Sequence, residues 1–235
     1  MAEATTQQSK SDRAQVPDFG SVASSYALLE KIVFRGALQR ARLAHIDLIT
    51  GSNPKKILLT GDGDGRFLEV LVERLPNAQV TTVDSSQRML AKSAERIGLD
   101  PSTKGKIRFV HGDLLQPAPK APTQYDIIVS HFVLDCFSTE QVAQIAQAIA
   151  SRMNSNGKWI VTDFQNPPPS SSVFARVGRA VLLRAMYLFF RITTGLHTAK
   201  LPDFESAIRS AGFETAEQSS HLKGFATSTV YQLGN

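Results

Sequence analysis

From Ser21 to Thr50 apolar residues recur three and four positions apart, at Leu28, Leu29, Ile32, Val33, Ala37, Ala41, Ala44 and Leu48. That period predicts helix, divided at Gly36 and stopped by Gly51 to Pro54. Then the pattern changes. Short apolar runs that suit strands, at Ile57–Thr60, Gln79–Val83, Ile107–Val110, Tyr125–Ser130 and Trp159–Phe164, alternate with helical stretches. The first such helix, Arg66–Leu75, aligns Phe67, Val70, Leu71 and Leu75 on one side. The second starts at the capping Ser86 and turns Met89, Leu90, Ala94 and Ile97 inward. The third opens on the capping-box pair Ser138 and Gln141, buries Val142, Ile145, Ile149 and Met153, and ends at Asn156-Gly157. Between the third and fourth strands, Leu115–Thr123 holds three prolines and reads as a loop. After a helix near Asp203–Ser210, the runs Phe213–His221 and Phe225–Leu233 are joined at Lys223-Gly224 as a hairpin. Strand and helix alternation predicts a doubly wound, mostly parallel α/β sheet that closes on an antiparallel pair.

Bulk properties narrow the class. A chain of 235 residues with 42% hydrophobic content carries one sizeable core. The expected layout is a disordered polar tail over 1–17, then one domain over 18–235, with a helical cap at 18–50 and a helical insertion at 166–202. The net charge is +5, but the basic residues are scattered, so no nucleic-acid partner is expected. One cysteine excludes an internal disulfide, and the five histidines lack ligand spacing, so no metal is expected. Without an apolar stretch near the start, the expectation is a cytoplasmic protein. The oligomeric state is not legible.

The chemistry starts at "KKILLTGDGDGRFLEVL". A glycine loop between a first strand and a helix lets a ligand approach the backbone. The dinucleotide fingerprint is G-x-G-x-x-G; here Gly61, Gly63 and Gly65 are spaced G-x-G-x-G, with Asp62 and Asp64 between them. A pyrophosphate would meet like charge there, whereas S-adenosylmethionine has a cationic sulfonium and amino group and no phosphate. The plain alternative is a tight turn with solvated aspartates. Asp84, nineteen positions after Gly65, ends the second strand and suits ribose hydroxyls. Asp113 follows the third strand, within reach of an adenine amino group. These strand ends share the carboxyl edge of the sheet.

In this order and spacing, "ILLTGDGDGRFLEVL", "VTTVDSSQRML", "FVHGDLL", "YDIIVSHFVLDCF", "NSNGKWIVTDF" and "AGFETAEQ" resemble the motifs of class I S-adenosylmethionine-dependent methyltransferases. The resemblance implies a Rossmann-like seven-stranded sheet and S-adenosylmethionine as cofactor. It puts the cofactor against Gly61, Asp62, Gly63 and Gly65, then Asp84, Ser85 and Met89, then Gly112, Asp113, Leu114 and Ser130. The family's usual acid two positions before the first glycine is Leu59 here. The loop aspartates are the candidates to supply that charge.

The stretch "FGSVASSYALLE" resembles the entry of the menaquinone and ubiquinone C-methylases, so Tyr26 is a candidate acceptor contact beside Asp163, Tyr187 and His197. His131 and Asp135 follow the fourth strand and are the candidate catalytic pair, His131 first because its charge changes near neutral pH. In the insertion Arg176, Arg179, Arg184 and Arg191 share one broad sector among large apolar residues. Such a helix suits a lid over an apolar pocket, peripheral contact with the inner membrane face, or plain packing. The expected activity is methyl transfer to carbon or oxygen of a small apolar or aromatic, quinone-like acceptor. The alternative is a protein of this fold that binds the cofactor without transfer.

Overall fold

The computed structural model describes residues 36–98, 105–115, 124–165 and 201–234. The tail, Tyr26, Tyr187, His197 and the arginine-bearing insertion lie outside the described residues. Gly36, in the left-handed region, starts α1 (Ala37–Arg42), and α2 (Ile46–Gly51) follows. Next come β1 (Lys56–Thr60), α3 (Arg66–Arg74), β2 (Gln79–Asp84), α4 (Gln87–Arg96), β3 (Ile107–His111) and β4 (Tyr125–His131). A 3-10 turn at Leu134–Cys136 leads to α5 (Thr139–Ala150), β5 (Met153–Phe164), α6 (Phe204–Ser210), β6 (Phe213–His221) and β7 (Ala226–Leu233).

The strands form one seven-stranded sheet in the order β3-β2-β1-β4-β5-β7-β6. The first five are parallel; β7 runs antiparallel between β5 and β6. Burial alternates as the pleat requires. Ile57, Leu59, Ile127 and Val129 pack with Phe67, Leu68 and Leu71 of α3 and with Ile46 and Ile49 of α2. Leu58, Ile128 and Trp159 pack on the opposite face with Val142, Ile145 and Ile149 of α5 and with Phe204 and Ile208 of α6. Strand β6 is the open edge and is largely exposed, and its Glu214 and Glu217 discourage pairing with another chain.

Two local expectations change. The chain turns at Leu43–His45, where the buried His45 ring nitrogen meets the Ser228 carbonyl at 3.1 Å; Ile46 and Ile49 are buried in the core, and Leu48 packs against it part-buried. Helix α5 ends at Ala150, and Met153 pairs with Tyr125 as the first residue of β5. Asn156-Gly157 therefore lies inside a strand, where a side chain at Gly157 would press on Met153 and the Tyr125 carbonyl.

Ser130 has a role in this core. Its hydroxyl meets Thr60 Oγ1 at 2.7 Å and accepts the Trp159 indole N–H at 2.9 Å, with no solvent exposure. Ser130→Ala leaves that N–H without its partner, so denaturant unfolding is expected to show a loss of about 1–3 kcal/mol. Calorimetry should show cofactor affinity unchanged, because the hydroxyl faces away from the loop edge.

Candidate active site

Strand order reverses between β1, which pairs with β2, and β4 on its other side. The carboxyl ends of such strands bound a crevice. Gly61, Gly63 and Gly65 all have positive φ, at 66°, 64° and 81°. A Cβ at Gly61 would strike Val133, and one at Gly65 would lie 2.8 Å from the Ser93 backbone. At Gly63 it would meet nothing within 4 Å. The outer glycines close the loop against β4 and α4, and the middle one borders open space.

The aspartates hold this loop in shape. Asp84, at the end of β2, accepts the Gly63 N–H at 3.3 Å and the Ser86 N–H at 2.8 Å. Asp62 reaches forward to accept the Leu68 N–H at 3.1 Å, in the first turn of α3. Asp64 is ion-paired with Arg66 at 3.1 Å and with Arg96 of α4 at 2.9 Å, and Arg96 also donates to the Asp64 carbonyl at 2.7 Å. Of the two expectations for the loop aspartates, simple solvation fails for Asp64, whose charge is already matched. Asp62 differs. Burial is the main cause that pushes its carboxyl up to about 7, against the opposing pull of the Leu68 N–H and the Arg42 guanidinium. Burial also raises Asp84, again against its two backbone donors.

Nearby, the Ser85 carbonyl accepts from the His111 ring Nε2–H at 2.9 Å. Met89 is buried on α4, and the Gly112 N–H donates to the Asp84 carbonyl at 3.1 Å. Asp113 folds back to accept the Leu115 N–H at 2.9 Å, with Leu114 part-buried between them. Ser130 is the member of the expected set whose side chain points into the core instead.

His131 ends β4 and is 4% exposed. Its ring meets Phe67 edge-on with centroids 4.6 Å apart, and neither ring nitrogen has a hydrogen-bond partner among the described residues. Burial first, then the charges of Arg42 and His45, hold its pKa well below 6.5, so the imidazole is neutral at pH 7. The next residue, Phe132, has φ of 52°, a strained value for a bulky side chain. Its N–H donates to the Thr162 carbonyl at 2.7 Å, and its ring lies between the Arg42 guanidinium, at 5.1 Å, and Phe164, at 5.0 Å. Sequence reasoning gave no role to Arg42 or Phe132: Phe132 sits inside "YDIIVSHFVLDCF" beside the singled-out His131, and the turn at Leu43–His45 that places Arg42 leaves no local signal.

Asp135 and Asp163 are both buried. Asp163 accepts the N–H groups of Leu134, Asp135 and Phe164 at 3.0, 3.2 and 2.9 Å, and so caps the turn after β4. Burial raises both carboxyls, Asp135 to about 6, and Asp163 further because Asp135 is beside it. Among the described residues no cluster of three or more His, Cys, Asp or Glu is placed to hold a metal ion.

A doubly wound sheet of this order with a glycine loop and a carboxylate at the end of β2 defines a Rossmann-like nucleoside-binding fold. The comparisons agree. A methyltransferase-domain family model matches residues 57–157. Demethylmenaquinone methyltransferase of Thermus thermophilus is 30% identical over 72% of this chain and 73% of its own. Ubiquinone biosynthesis O-methyltransferase of Bordetella parapertussis is 29% identical over 86% and 81%. Among solved structures, magnesium protoporphyrin IX methyltransferase from Synechocystis PCC 6803 with bound S-adenosylhomocysteine aligns with a TM-score of 0.60 at 18% identity, covering 85% of this chain and 84% of its own. Mitomycin 7-O-methyltransferase gives 0.63 at 13% identity, and this chain spans 58% of it. The chain belongs to the class I S-adenosylmethionine-dependent methyltransferases. Its loop suits that cofactor: open space at Gly63 and carboxylates at Asp62 and Asp84.

Titration of the site acids gives a testable consequence. Asp62 and Asp135 hold their protons up to about 7 and about 6, against an ordinary 3.8. Between pH about 4 and 7 the folded chain therefore binds more protons than the unfolded chain, and stability falls as pH rises. Melting temperature should drop across that window, and Asp62→Asn should flatten its upper part.

Proposed function

We propose that the chain transfers a methyl group to oxygen or carbon of a small aromatic acceptor of the hydroquinone type, with His131 as the proton acceptor. The observation that carries this reading is the buried, neutral imidazole whose two nitrogens lack protein partners at the carboxyl end of β4. An orphaned polar group is costly in a core and inexpensive beside a ligand that bonds it. The relatives named for demethylmenaquinone and for ubiquinone biosynthesis support the acceptor class.

S-adenosylmethionine, when bound, supplies a methyl group on a cationic sulfur. The chain's part is placement and proton removal. A ring nitrogen of His131 takes the proton of an acceptor hydroxyl. The negative charge left behind is shared between that oxygen and the adjacent ring carbons, so one base serves methylation at either atom; at carbon, the ring C–H proton is then lost and the His131 imidazolium returns its proton to the oxygen. Phe67, Phe132 and Phe164 exclude water around the ring. Asp135 is less suited to this role, because its carboxyl lies in the turn with Cys136 and Asp163. In this reading Asp84 accepts from the ribose hydroxyls and Asp62 from the cofactor's ammonium. No described helix is long and apolar enough to cross a membrane. Peripheral membrane contact through the arginine-bearing insertion remains part of this reading, tested by salt-sensitive binding to anionic vesicles.

Reduced demethylmenaquinone and a simple catechol, assayed with methyl-labelled cofactor, test the acceptor. His131→Ala should lower kcat by about 10²–10⁴-fold while S-adenosylhomocysteine affinity holds. Because the wild-type ring is neutral well below 6.5, kcat at saturating cofactor should show no acid loss from pH 8 to 6.5. Methylation of neither compound by a chain that binds the cofactor would refute the acceptor class, and an unchanged kcat would make His131 a wall residue.

Calorimetry separates the two loop-edge carboxylates. Asp84→Ala should weaken every adenosine-containing ligand, by about 1.5–3 kcal/mol. Asp62→Asn should weaken S-adenosylmethionine and S-adenosylhomocysteine but not adenosine, and wild-type affinity for both should rise with pH through about 7 as Asp62 ionises. Equal losses for all three ligands in Asp62→Asn would show damage to the loop instead.

A further inference from the structure

We infer that the Thr162 hydroxyl, held by Ser228, orients the His131 imidazole, which makes Thr162 a positioning residue for methyl transfer. This rests on the reading of His131 as the base and deepens it. A neutral imidazole carries its proton on one nitrogen only. To take a proton from an acceptor, the bare nitrogen has to face that acceptor. The N–H on the other nitrogen then needs a partner of its own.

The sheet sets one beside it. His131 of β4 is in register with Thr162 of β5, and Thr162 with Ser228 of β7. Val129, Ile160 and Val230, each two positions from one of these three, pack together on the α2 and α3 side of the sheet. The pleat therefore puts the three polar side chains in a row on that same side, at 4%, 0% and 0% exposed. Strands lie about 4.8 Å apart, so neighbours in the row are within reach of one hydrogen bond. Thr162 Oγ1 meets Ser228 Oγ at 2.7 Å, and neither hydroxyl has a further partner among the described residues. With its own proton given to Ser228, Thr162 has lone pairs open to an imidazole N–H. His45, buried on the same side, is already engaged: its ring nitrogens face the Ser228 carbonyl at 3.1 Å and Glu217 at 3.4 Å. Phe67 meets the His131 ring edge-on from α3. In this structure neither His131 nitrogen is bonded. A rotation of the ring closes the bond once cofactor fills the crevice, as catalytic hydrogen bonds often tighten in complexes. The Phe132 N–H on the Thr162 carbonyl, at 2.7 Å, keeps the two residues side by side where β4 ends.

Packing alone does not call for these hydroxyls. Valine has the shape of threonine and would suit the neighbouring Ile160 and Val230. Replacing both hydroxyls with apolar groups is close to neutral for stability. A purely structural pair would then be lost without effect on the reaction.

The test joins nitrogen-15 NMR of the histidine rings in the full chain with S-adenosylhomocysteine bound to kinetics with S-adenosylmethionine and reduced demethylmenaquinone or catechol. The His131 signals are those that vanish in His131→Gln. Wild-type His131 should hold one tautomer, with a ring N–H that exchanges slowly enough to be seen. Thr162→Val should mix the tautomers and lose that N–H signal. It should lower kcat about tenfold, the scale of one hydrogen bond, with S-adenosylhomocysteine affinity within about twofold. Thr162→Ser should restore both. Thr162→Val/Ser228→Ala, which strands no hydroxyl, should melt like the wild type and stay slow. The same His131 signals in wild type and Thr162→Val would overturn the inference, and so would an unchanged kcat in the double variant. The NMR needs no acceptor. If His131→Ala leaves kcat unchanged, or neither acceptor is methylated, the base reading fails, while the tautomer result still upholds or overturns the orienting bond.

Discussion

The carboxylate of Asp62 on the Leu68 N–H is the contact on which the site depends. In a phosphate-binding loop the first N–H groups of the following helix face the ligand. Here the chain supplies its own anion to that position, at 3.1 Å. Asp84 does the same for the Gly63 N–H in the middle of the loop. With these donors occupied from within, a pyrophosphate finds few partners and two like charges. The loop keeps its close backbone approach at Gly63 and reverses the sign of what it attracts.

The proposed ammonium contact of Asp62 offers a source for the charge that the family usually carries two positions before the first glycine. Leu59 is 1% exposed and packs with Phe67, Leu68 and Leu71, so a carboxylate there would need partners that this core does not offer. Three positions on, Asp62 stands at the edge of the same cluster, held by a backbone donor. On the proposed reading the charge sits in the loop, while the strand end at Leu59 is core. The cost is visible in the raised pKa of Asp62, in the strained Phe132 and in the unpartnered His131 ring. All three lie at the carboxyl edge, where a site tolerates local strain that the core does not.

Much of this fold was legible because two periods carry it. Strands β1 to β5 and the hairpin announce themselves by apolar runs of strand length, and α3 to α5 by three-and-four spacing with Ser86 and Ser138 as caps. The motif residues fall on strand ends for the same reason. What the pattern did not carry is non-local. Asp64 is matched by Arg96, 32 residues away, and Ser130 by Trp159, 29 residues away. Asp163 reads from sequence as a pocket carboxylate or a cap; its oxygens accept N–H groups of a turn whose position depends on β4 and β5 being neighbours. Met153 was assigned to a helix because Ile149 sits four positions before it, and strand pairing with Tyr125 prevailed over that spacing.

His131 and Ser130 show how one step in register divides chemistry from packing. Adjacent residues of a strand point to opposite faces. Ser130 faces the side of Trp159, where its hydroxyl completes a buried network; His131 faces the side of Phe67, Arg42 and the glycine loop, where its ring lacks a protein partner. Shifting β4 by one residue would exchange the two and bury a bare imidazole against the indole. The pairing of Ser130 with Thr60 and of His131 with Thr162 fixes that register from both neighbouring strands. The hydrogen bonds of Ser130 therefore do more than stabilise one face: by fixing the register of β4 they keep the His131 imidazole on the other face, at the carboxyl edge of the sheet.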